Sequence, residues 1–173
     1  MNKNTLYIFS GLPGSGKTTL AKRLAGELNA AFVRIDTVEQ GLKDTCGMDS
    51  IEAQGYLLSH RVCKDNLLCG NNVIADSVNP IKLSRDEWEQ VASSVNCPYV
   101  NIEIFCSDKD EHRHRLESRE NGIEKLKNPT WEQVINREYE KWETPVLRID
   151  TSGKSIEDCV EELLISCKKL TLL

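Results

Sequence analysis

Residues 11–18 read Gly11-Leu12-Pro13-Gly14-Ser15-Gly16-Lys17-Thr18, which matches the phosphate-binding pattern G-x-x-x-x-G-K-[ST] in full. An apolar run at residues 6–9 precedes this loop, and apolar residues at helical spacing follow it over residues 20–28. A phosphate-binding loop needs this strand–loop–helix context, because the positive end of the helix faces the bound anion. The sequence therefore predicts a nucleotide-binding P-loop.

The residue types of the loop suit a multiply charged phosphate tail. Glycine tolerates positive φ and lets the backbone approach a ligand closely, so the three glycines are expected to fold the chain around the phosphates. Pro13 has no N–H, so the predicted donors are the amides of residues 14–18. We expect Lys17 to reach the β and γ phosphates and the Thr18 hydroxyl to hold Mg²⁺. The predicted ATP-binding residues here are Gly11, Leu12, Pro13, Gly14, Ser15, Gly16, Lys17, Thr18 and Thr19.

Length, composition and charge limit the class of protein. A chain of 173 residues with 39% hydrophobic and 28% charged residues suits a single globular domain over residues 1–173. No apolar run approaches the roughly 20 residues of a membrane span, and no signal peptide is visible. The seven cysteines form no C-x-x-C pair, which favours reduced thiols over disulfides or a zinc site, and we expect a cytoplasmic protein. The net charge of −5 argues against long nucleic acid as a partner and leaves a short nucleic-acid end open.

Predicted strands and helices alternate along the chain. Apolar runs predict strands at residues 6–9, 31–36, 73–76, 99–105 and 146–149. Capping residues and spacing predict helices after the P-loop, from Ser50 to about Cys69, from a capping box at 84–87 to about Val95, over 108–119, from Thr130, and from Ser155 to about Lys169. Residues 37–49 are expected to be irregular or short-helical. Five strands joined by helical crossovers predict an α/β fold with a doubly wound parallel sheet.

Two aspartates end predicted strands at the edge where the P-loop lies. Asp36 ends the second strand, which we expect to lie next to the P-loop, and Asp76 ends the third. Ligands of doubly wound sheets bind beyond the C-terminal ends of the strands. Asp36 is placed to accept the proton of an acceptor hydroxyl, and Asp76 to orient Mg²⁺ through water. The alternative for either aspartate is a strand-end residue that solvates a turn.

A basic helix and the polar loop after it predict a small lid over about residues 108–130. On a helix, His112, Arg115 and Arg119 share one face at spacings of three and four. Guanidinium groups suit phosphate oxygens, and closure of a lid excludes water and brings arginine to the transferring phosphoryl group. The alternative is a solvated helix face whose charge neighbouring glutamates balance.

These motifs, in this order, resemble the small P-loop kinases of the AAA-type ATPase group, which include chloramphenicol phosphotransferase, zeta-type toxins and the kinase domain of phage polynucleotide kinase. The resemblance covers nearly the whole chain. It rests on the P-loop, Asp36, Asp76-Ser77-Val78-Asn79, the pair Arg115 and Arg119, and Asp150-Thr151-Ser152. It implies a P-loop nucleoside triphosphate hydrolase or kinase fold that binds ATP and Mg²⁺.

The resemblance also implies roles for single residues. Asp36 matches a general base, Arg115 and Arg119 match arginines that contact the ATP phosphates, and Thr151, Ser152 and Gly153 match a loop that lies against the nucleobase. Polynucleotide kinases often carry two adjacent acids where this chain has Asp36-Thr37, so the acceptor of that family does not transfer directly.

Three functions remain open from the sequence. The chain has neither the Asn-Lys-x-Asp motif of GTPases nor the Leu-Ser-Gly-Gly motif of ABC ATPases. The leading hypothesis is an ATP-dependent phosphotransferase, a kinase that moves the γ-phosphate to a hydroxyl of a small acceptor molecule. The alternatives are a 5′-hydroxyl polynucleotide kinase and an ATP-binding regulatory module without an acceptor.

Overall fold

A five-stranded parallel sheet forms the centre of the computed structural model, which describes residues 4–120 and 122–171. The strand order is β2-β3-β1-β4-β5, and every pairing is parallel. The strands are β1 Leu6–Ser10, β2 Ala31–Arg34, β3 Val73–Asp76, β4 Tyr99–Phe105 and β5 Leu147–Asp150. The predicted α/β fold with five parallel strands is therefore confirmed.

Helices cover both faces of the sheet. They are α1 Lys17–Glu27, α2 Ile35–Cys46, α3 Gln54–Leu68, α4 Lys82–Ser94, α5 Lys109–Ser118, α6 Trp131–Ile135 and α7 Ile156–Thr171. Side chains of a strand alternate between the faces, so Phe9 of β1 joins a core with α1 and α7, whereas Ile8 joins a core with α3 and α4. Because β1 is buried on both faces, its sequence is a continuous apolar run.

The second strand ends earlier than the sequence predicts. The prediction of a strand to Asp36 is wrong, because β2 ends at Arg34 and α2 begins at Ile35. Ile35 packs into the core, and Asp36 lies in the first turn of the helix, where the helix dipole favours a carboxylate. The expected irregular segment at 37–49 is mostly this helix, which Gly47 ends in a left-handed conformation with φ 63°.

The strand order also differs from the prediction. Strand β3 lies between β1 and β2, so the strand that leads to Asp36 is not the neighbour of the P-loop strand. All four residues of β3 are buried, which suits an interior strand, whereas the first half of β2 is partly exposed, which suits an edge. Asp76 consequently lies between the P-loop and Asp36.

Two predicted helix starts are shifted, whereas the starts of α5, α6 and α7 are confirmed, the last with the Ser155 hydroxyl accepting from the Asp158 amide at 3.1 Å. Helix α3 begins at Gln54 and not at Ser50, and α4 begins at Lys82, where the Ser84 hydroxyl donates to the Ile81 carbonyl at 2.9 Å. Asp108 caps α5, and Thr130 with Gln133 forms the capping box of the five-residue α6. The sequence predicts these caps correctly because each of their hydrogen bonds joins residues that are close in the chain.

Two expected absences concern cysteine pairing and membrane spans. In the part of the chain that the structure describes, none of the seven cysteines forms a disulfide, and five of them are buried. Within residues 4–120 and 122–171, no helix combines the length and the apolar character that crossing a bilayer requires.

Candidate active site

The loop between β1 and α1 lines a crevice of about 480 Å³. Its three glycines have positive φ values of 139°, 87° and 91°. A Cβ atom on Gly11 would lie 2.1 Å from the Ile104 carbonyl oxygen, so only glycine fits beside β4. The predicted loop residues line the crevice except Gly11 and Ser15, whose amide donates to the Leu12 carbonyl at 3.3 Å. The backbone thus has the concave shape that holds phosphate groups.

Lys17 forms a buried ion pair with Asp76. The Nζ atom of Lys17 donates to Oδ1 of Asp76 at 2.6 Å, and the two residues are 8% and 1% exposed. The other oxygen of Asp76, Oδ2, accepts no hydrogen bond from any residue that the structure describes. A charge that is buried away from water destabilises the folded protein unless a partner of opposite charge compensates it. The two side chains of this pair are therefore held together at the crevice.

Arg34 connects the two aspartates that the sequence singled out. Its Nη2 atom lies 3.0 Å from Oδ2 of Asp36, and its Nε atom lies 3.9 Å from Oδ2 of Asp76. The Arg34 side chain lines the crevice, whereas Asp36 lies beside it with its side chain 39% exposed. Charges therefore alternate in the order Lys17, Asp76, Arg34, Asp36. Arg34 was not among the predicted site residues, although a charged residue in an apolar strand was a usable signal.

Further polar groups lie around Asp36, between α2 and α3. Burial raises the pKa of Glu39, and the nearby Asp36 carboxylate raises it further. A Cβ atom on Gly55 would lie 2.4 Å from Cγ of Glu39, so this glycine leaves room for the glutamate. Burial raises the pKa of Tyr56 to about 12, against hydrogen bonds with the Asn79 backbone and the Ser77 side chain. Asp36, Glu39 and Tyr56 thus form a polar group of side chains, of which only Asp36 was predicted.

The two predicted lid arginines have different environments. Arg119 lines the crevice, and its Nε atom donates to Oδ1 of Asn128 at 2.9 Å. The pKa of the Arg119 guanidinium is lowered, chiefly by burial. The carboxylates of Asp36 and Asp76 act to raise this pKa, whereas the charge of Arg34 lowers it further. Arg119 therefore joins the charged groups around the two aspartates.

Arg115 also lines the crevice, but hydrogen bonds attach it to the segment after β5. Its Nη1 atom donates to Oγ1 of Thr151 at 2.8 Å, and its Nη2 atom donates to the Thr151 carbonyl at 3.0 Å and to Oε1 of Glu111 at 2.5 Å. The second oxygen of Glu111 accepts from Oγ of Ser152 and N of Gly153 at 3.3 and 3.0 Å. Thr151 consequently lines the crevice, while Ser152 and Gly153 lie outside its lining.

His112 fastens α5 to the P-loop. Its Nε2 atom lies 2.8 Å from the Pro13 carbonyl oxygen, and because a carbonyl only accepts, Nε2 carries the proton. The ring packs edge-on against Trp131 with 5.2 Å between centroids. The face of α5 that carries His112 and Arg115 therefore contacts the P-loop and the β5 end, and is not a solvated helix face.

Asn79 joins the ends of β1 and β3. It is fully buried, and its Nδ2 atom donates to the Phe9 carbonyl at 3.0 Å and to Oγ of Ser10 at 3.2 Å. Its Oδ1 atom accepts from Oγ of Ser77 and Nε1 of Trp88 at 2.8 and 3.1 Å. The Asp-x-x-Asn motif thus combines a crevice carboxylate with a residue that holds the two strand ends together.

The oxygen atoms near Lys17 suit a hard cation such as Mg²⁺. The buried Oδ2 of Asp76 and the Thr18 hydroxyl, on a residue that lines the crevice, are ligands of the type that Mg²⁺ prefers. Among the described residues, no cluster of three His, Cys, Asp or Glu side chains could hold a metal ion alone. A bound Mg²⁺ would take water and phosphate oxygens as further ligands.

Several known proteins that are similar to this chain are kinases. An adenylyl-sulfate kinase of Prochlorococcus marinus is 29% identical over 182 residues, which cover 99% of this chain and 87% of the relative. A cytidylate kinase of Ignicoccus hospitalis is 27% identical over 146 residues, which cover 80% of this chain and 76% of the relative. The fold matches that of a gluconokinase from Sinorhizobium meliloti with a TM-score of 0.69 at 14% identity, over 98% of this chain and 94% of that one.

A family model described as an AAA domain matches residues 6–139. The matched segment contains the P-loop, Asp36, Asp76 and the α5 helix. The homologous kinases support an ATP-using P-loop kinase function for the chain. The chain belongs to the AAA domain family AAA_33, within the group of P-loop kinases.

Proposed function

We propose that the protein transfers the γ-phosphoryl group of ATP to a hydroxyl group of a small acceptor molecule. The observation that carries this proposal is the continuous charge sequence from Lys17 through Asp76 and Arg34 to Asp36. It joins the phosphate-binding loop to a partly exposed carboxylate, which is where a base must lie if the acceptor approaches the end of the phosphate tail.

The proposed reaction is one displacement at the γ-phosphorus. Asp36 takes the proton of the acceptor hydroxyl, the acceptor oxygen forms a bond to phosphorus, and the bond to the β-phosphate oxygen breaks to release ADP. Lys17 and the loop amides stabilise the negative charge that spreads over the phosphoryl oxygens. Mg²⁺ held by Thr18 and, through water, by Asp76 would neutralise charge on the β and γ phosphates. Thr151, Ser152 and Gly153 are proposed to lie near the nucleobase.

The segment at about residues 108–130 is proposed to act as a lid. Arg119 lies among the charges around Asp36, and Nζ of Lys125 lies 3.7 Å from Oδ1 of Asp44 in α2. A loop that joins α5 to α2 in this way would exclude water from the transferring group and bring Arg119 toward it, while Arg115 is proposed to contact the phosphates from its place in α5. The polar groups of Glu39 and Tyr56 mark the proposed acceptor side.

The variant Asp36→Asn tests the proposed base. We expect it to keep its affinity for Mg·ATP within about threefold and to lower transfer at least about 100-fold, because the amide cannot take the proton. Affinity is measured by calorimetry. Transfer is measured from γ-labelled ATP to nucleosides, sugars, aminoglycoside and phenicol antibiotics, and 5′-hydroxyl oligonucleotides. Asp65→Asn on the exposed side of α3 is the control and should match wild type.

The similarity to a cytidylate kinase favours a second candidate, in which the acceptor group is a phosphate. A phosphate oxygen is largely deprotonated at neutral pH, so its attack needs no base. Nucleoside monophosphates in the same panel therefore separate the two candidates. Asp36→Asn would retain transfer to a phosphate and lose transfer to a hydroxyl. A 5′-hydroxyl end as the active acceptor would identify a polynucleotide kinase. Slow hydrolysis with no active acceptor would favour a regulatory module.

A further inference from the structure

We propose that Arg34 is a positioning residue that orients the Asp36 carboxylate toward the acceptor. This inference rests on the proposed function, because it assigns Arg34 a role only through the base. Arg34 does not belong to the P-loop, to the proposed metal ligands or to the lid arginines, so this inference adds a residue to the site.

The side chains of Arg34 and Asp36 differ in how deeply they are buried. The Arg34 side chain is 6% exposed, whereas that of Asp36 is 39% exposed and stands in the first turn of α2. A partly exposed aspartate can occupy several staggered rotamers unless a partner fixes one of them. The charge-assisted hydrogen bond of 3.0 Å from Nη2 of Arg34 holds the carboxylate at the crevice.

The position of Arg34 is itself fixed by the sheet. It is the last residue of β2, and in the parallel pairing of β2 with β3 it lies directly opposite Asp76. Side chains at paired positions project to the same face of a sheet, so the guanidinium and the Asp76 carboxylate are neighbours. Asp76 in turn binds Lys17, which lies at the start of α1. The position of Asp36 is therefore tied to the P-loop through three successive ion pairs.

An arginine suits this position because its guanidinium group can face two carboxylates. One guanidinium presents Nη2 to Asp36 and Nε toward Asp76. A lysine ammonium is a single point charge on a flexible stem and cannot hold two carboxylates in this arrangement. Arg119, another cation near these carboxylates, donates to Asn128 and lies on the lid side.

The test is a double-mutant cycle in ATP hydrolysis, with water as the acceptor. We expect Arg34→Gln to lower kcat about 10–100-fold while KM for Mg·ATP stays within about threefold. Arg34→Lys should recover part of this loss. Because Arg34 acts through Asp36, the double variant should match Asp36→Asn within about twofold. Arg113→Gln removes an exposed arginine from an ion pair with Glu117 and should leave kcat unchanged.

A crystal structure of Arg34→Gln supplies a readout that does not depend on activity. We expect the Asp36 side chain to rotate toward solvent while the P-loop keeps its conformation. Additive losses in the double variant, a rise in KM without a fall in kcat, or an unmoved Asp36 would overturn the positioning role. If Arg34→Gln does not fold, Arg34→Lys is compared in the same cycle.

The failures of the two proposals are distinguishable. If Asp36→Asn hydrolyses ATP at the wild-type rate, the proposed base is wrong and the positioning role fails with it. If Asp36→Asn is inactive while Arg34→Gln is fully active, only the positioning role fails.

Discussion

At the scale of single residues, Lys17 combines a structural partner with a proposed catalytic one. Its ammonium group compensates the Asp76 carboxylate, which is 1% exposed. The same ammonium is the group that is proposed to contact the β and γ phosphates. Both tasks need a positive charge at the start of α1, so one substitution affects both the fold and the reaction.

Lys17→Ala should therefore show two losses. We expect ATP turnover to fall more than about 100-fold, since charge stabilisation of the transition state is lost. We also expect the free energy of unfolding to fall by about 3 kcal/mol, because the Asp76 carboxylate loses its closest cation. Steady-state turnover and urea unfolding measure the two effects. Lys64→Ala on the exposed side of α3 is the control, and equal behaviour of the two variants would contradict the assignment.

At the scale of elements, Glu111 and Arg115 join α5 to the segment after β5. Glu111 accepts from Arg115, Ser152 and Gly153, and Arg115 donates twice to Thr151. These contacts set where α5 stands relative to the crevice. They also leave the loop beyond Arg119 as the part of the proposed lid that these hydrogen bonds do not hold.

Glu111→Gln should loosen this junction. An amide cannot accept at both ends, so at least one contact to Arg115 or to Ser152 and Gly153 is lost. We expect the free energy of unfolding to fall by about 1 kcal/mol and the affinity for Mg·ATP to fall about fivefold. Urea unfolding and calorimetry measure these changes. Glu117→Gln on the same helix breaks only an exposed pair with Arg113 and should change neither quantity by more than about 0.5 kcal/mol.

At the scale of the whole molecule, we expect the packing between α3 and α4 to lose stability in acid, because it includes His60. His60 of α3 packs edge-on against the buried Trp88 of α4, with 4.3 Å between ring centroids. Burial lowers the pKa of His60 from its ordinary 6.5 to about 4. The unfolded chain therefore binds a proton between these values when the folded protein does not. The contribution of the neutral His60 to the free energy of unfolding is therefore expected to be fully present above about pH 6.5 and to be lost as the pH falls toward 4.

Substitution of His60 should reduce this pH dependence. From pH 7 to pH 4, wild type should lose up to about 3 kcal/mol more of its free energy of unfolding than His60→Phe, which keeps an aromatic ring against Trp88. Urea unfolding at several pH values measures the difference. His114→Phe, at an exposed position of α5, should keep the wild-type pH dependence. The same slope in wild type and His60→Phe would show that other groups control acid unfolding.

The sequence by itself determined the P-loop, the α/β class, the position of Asp76 at a strand end and the caps of α5 and α6. Each of these depends on residues that are close in the chain, whose side-chain period or local hydrogen bonds can be read directly. Only the tertiary structure decided that β3 lies between β1 and β2, that Arg34 stands opposite Asp76, and that Arg115 binds Thr151. These contacts join residues far apart in the chain, and which pairs form depends on how the strands and helices bury their surfaces together.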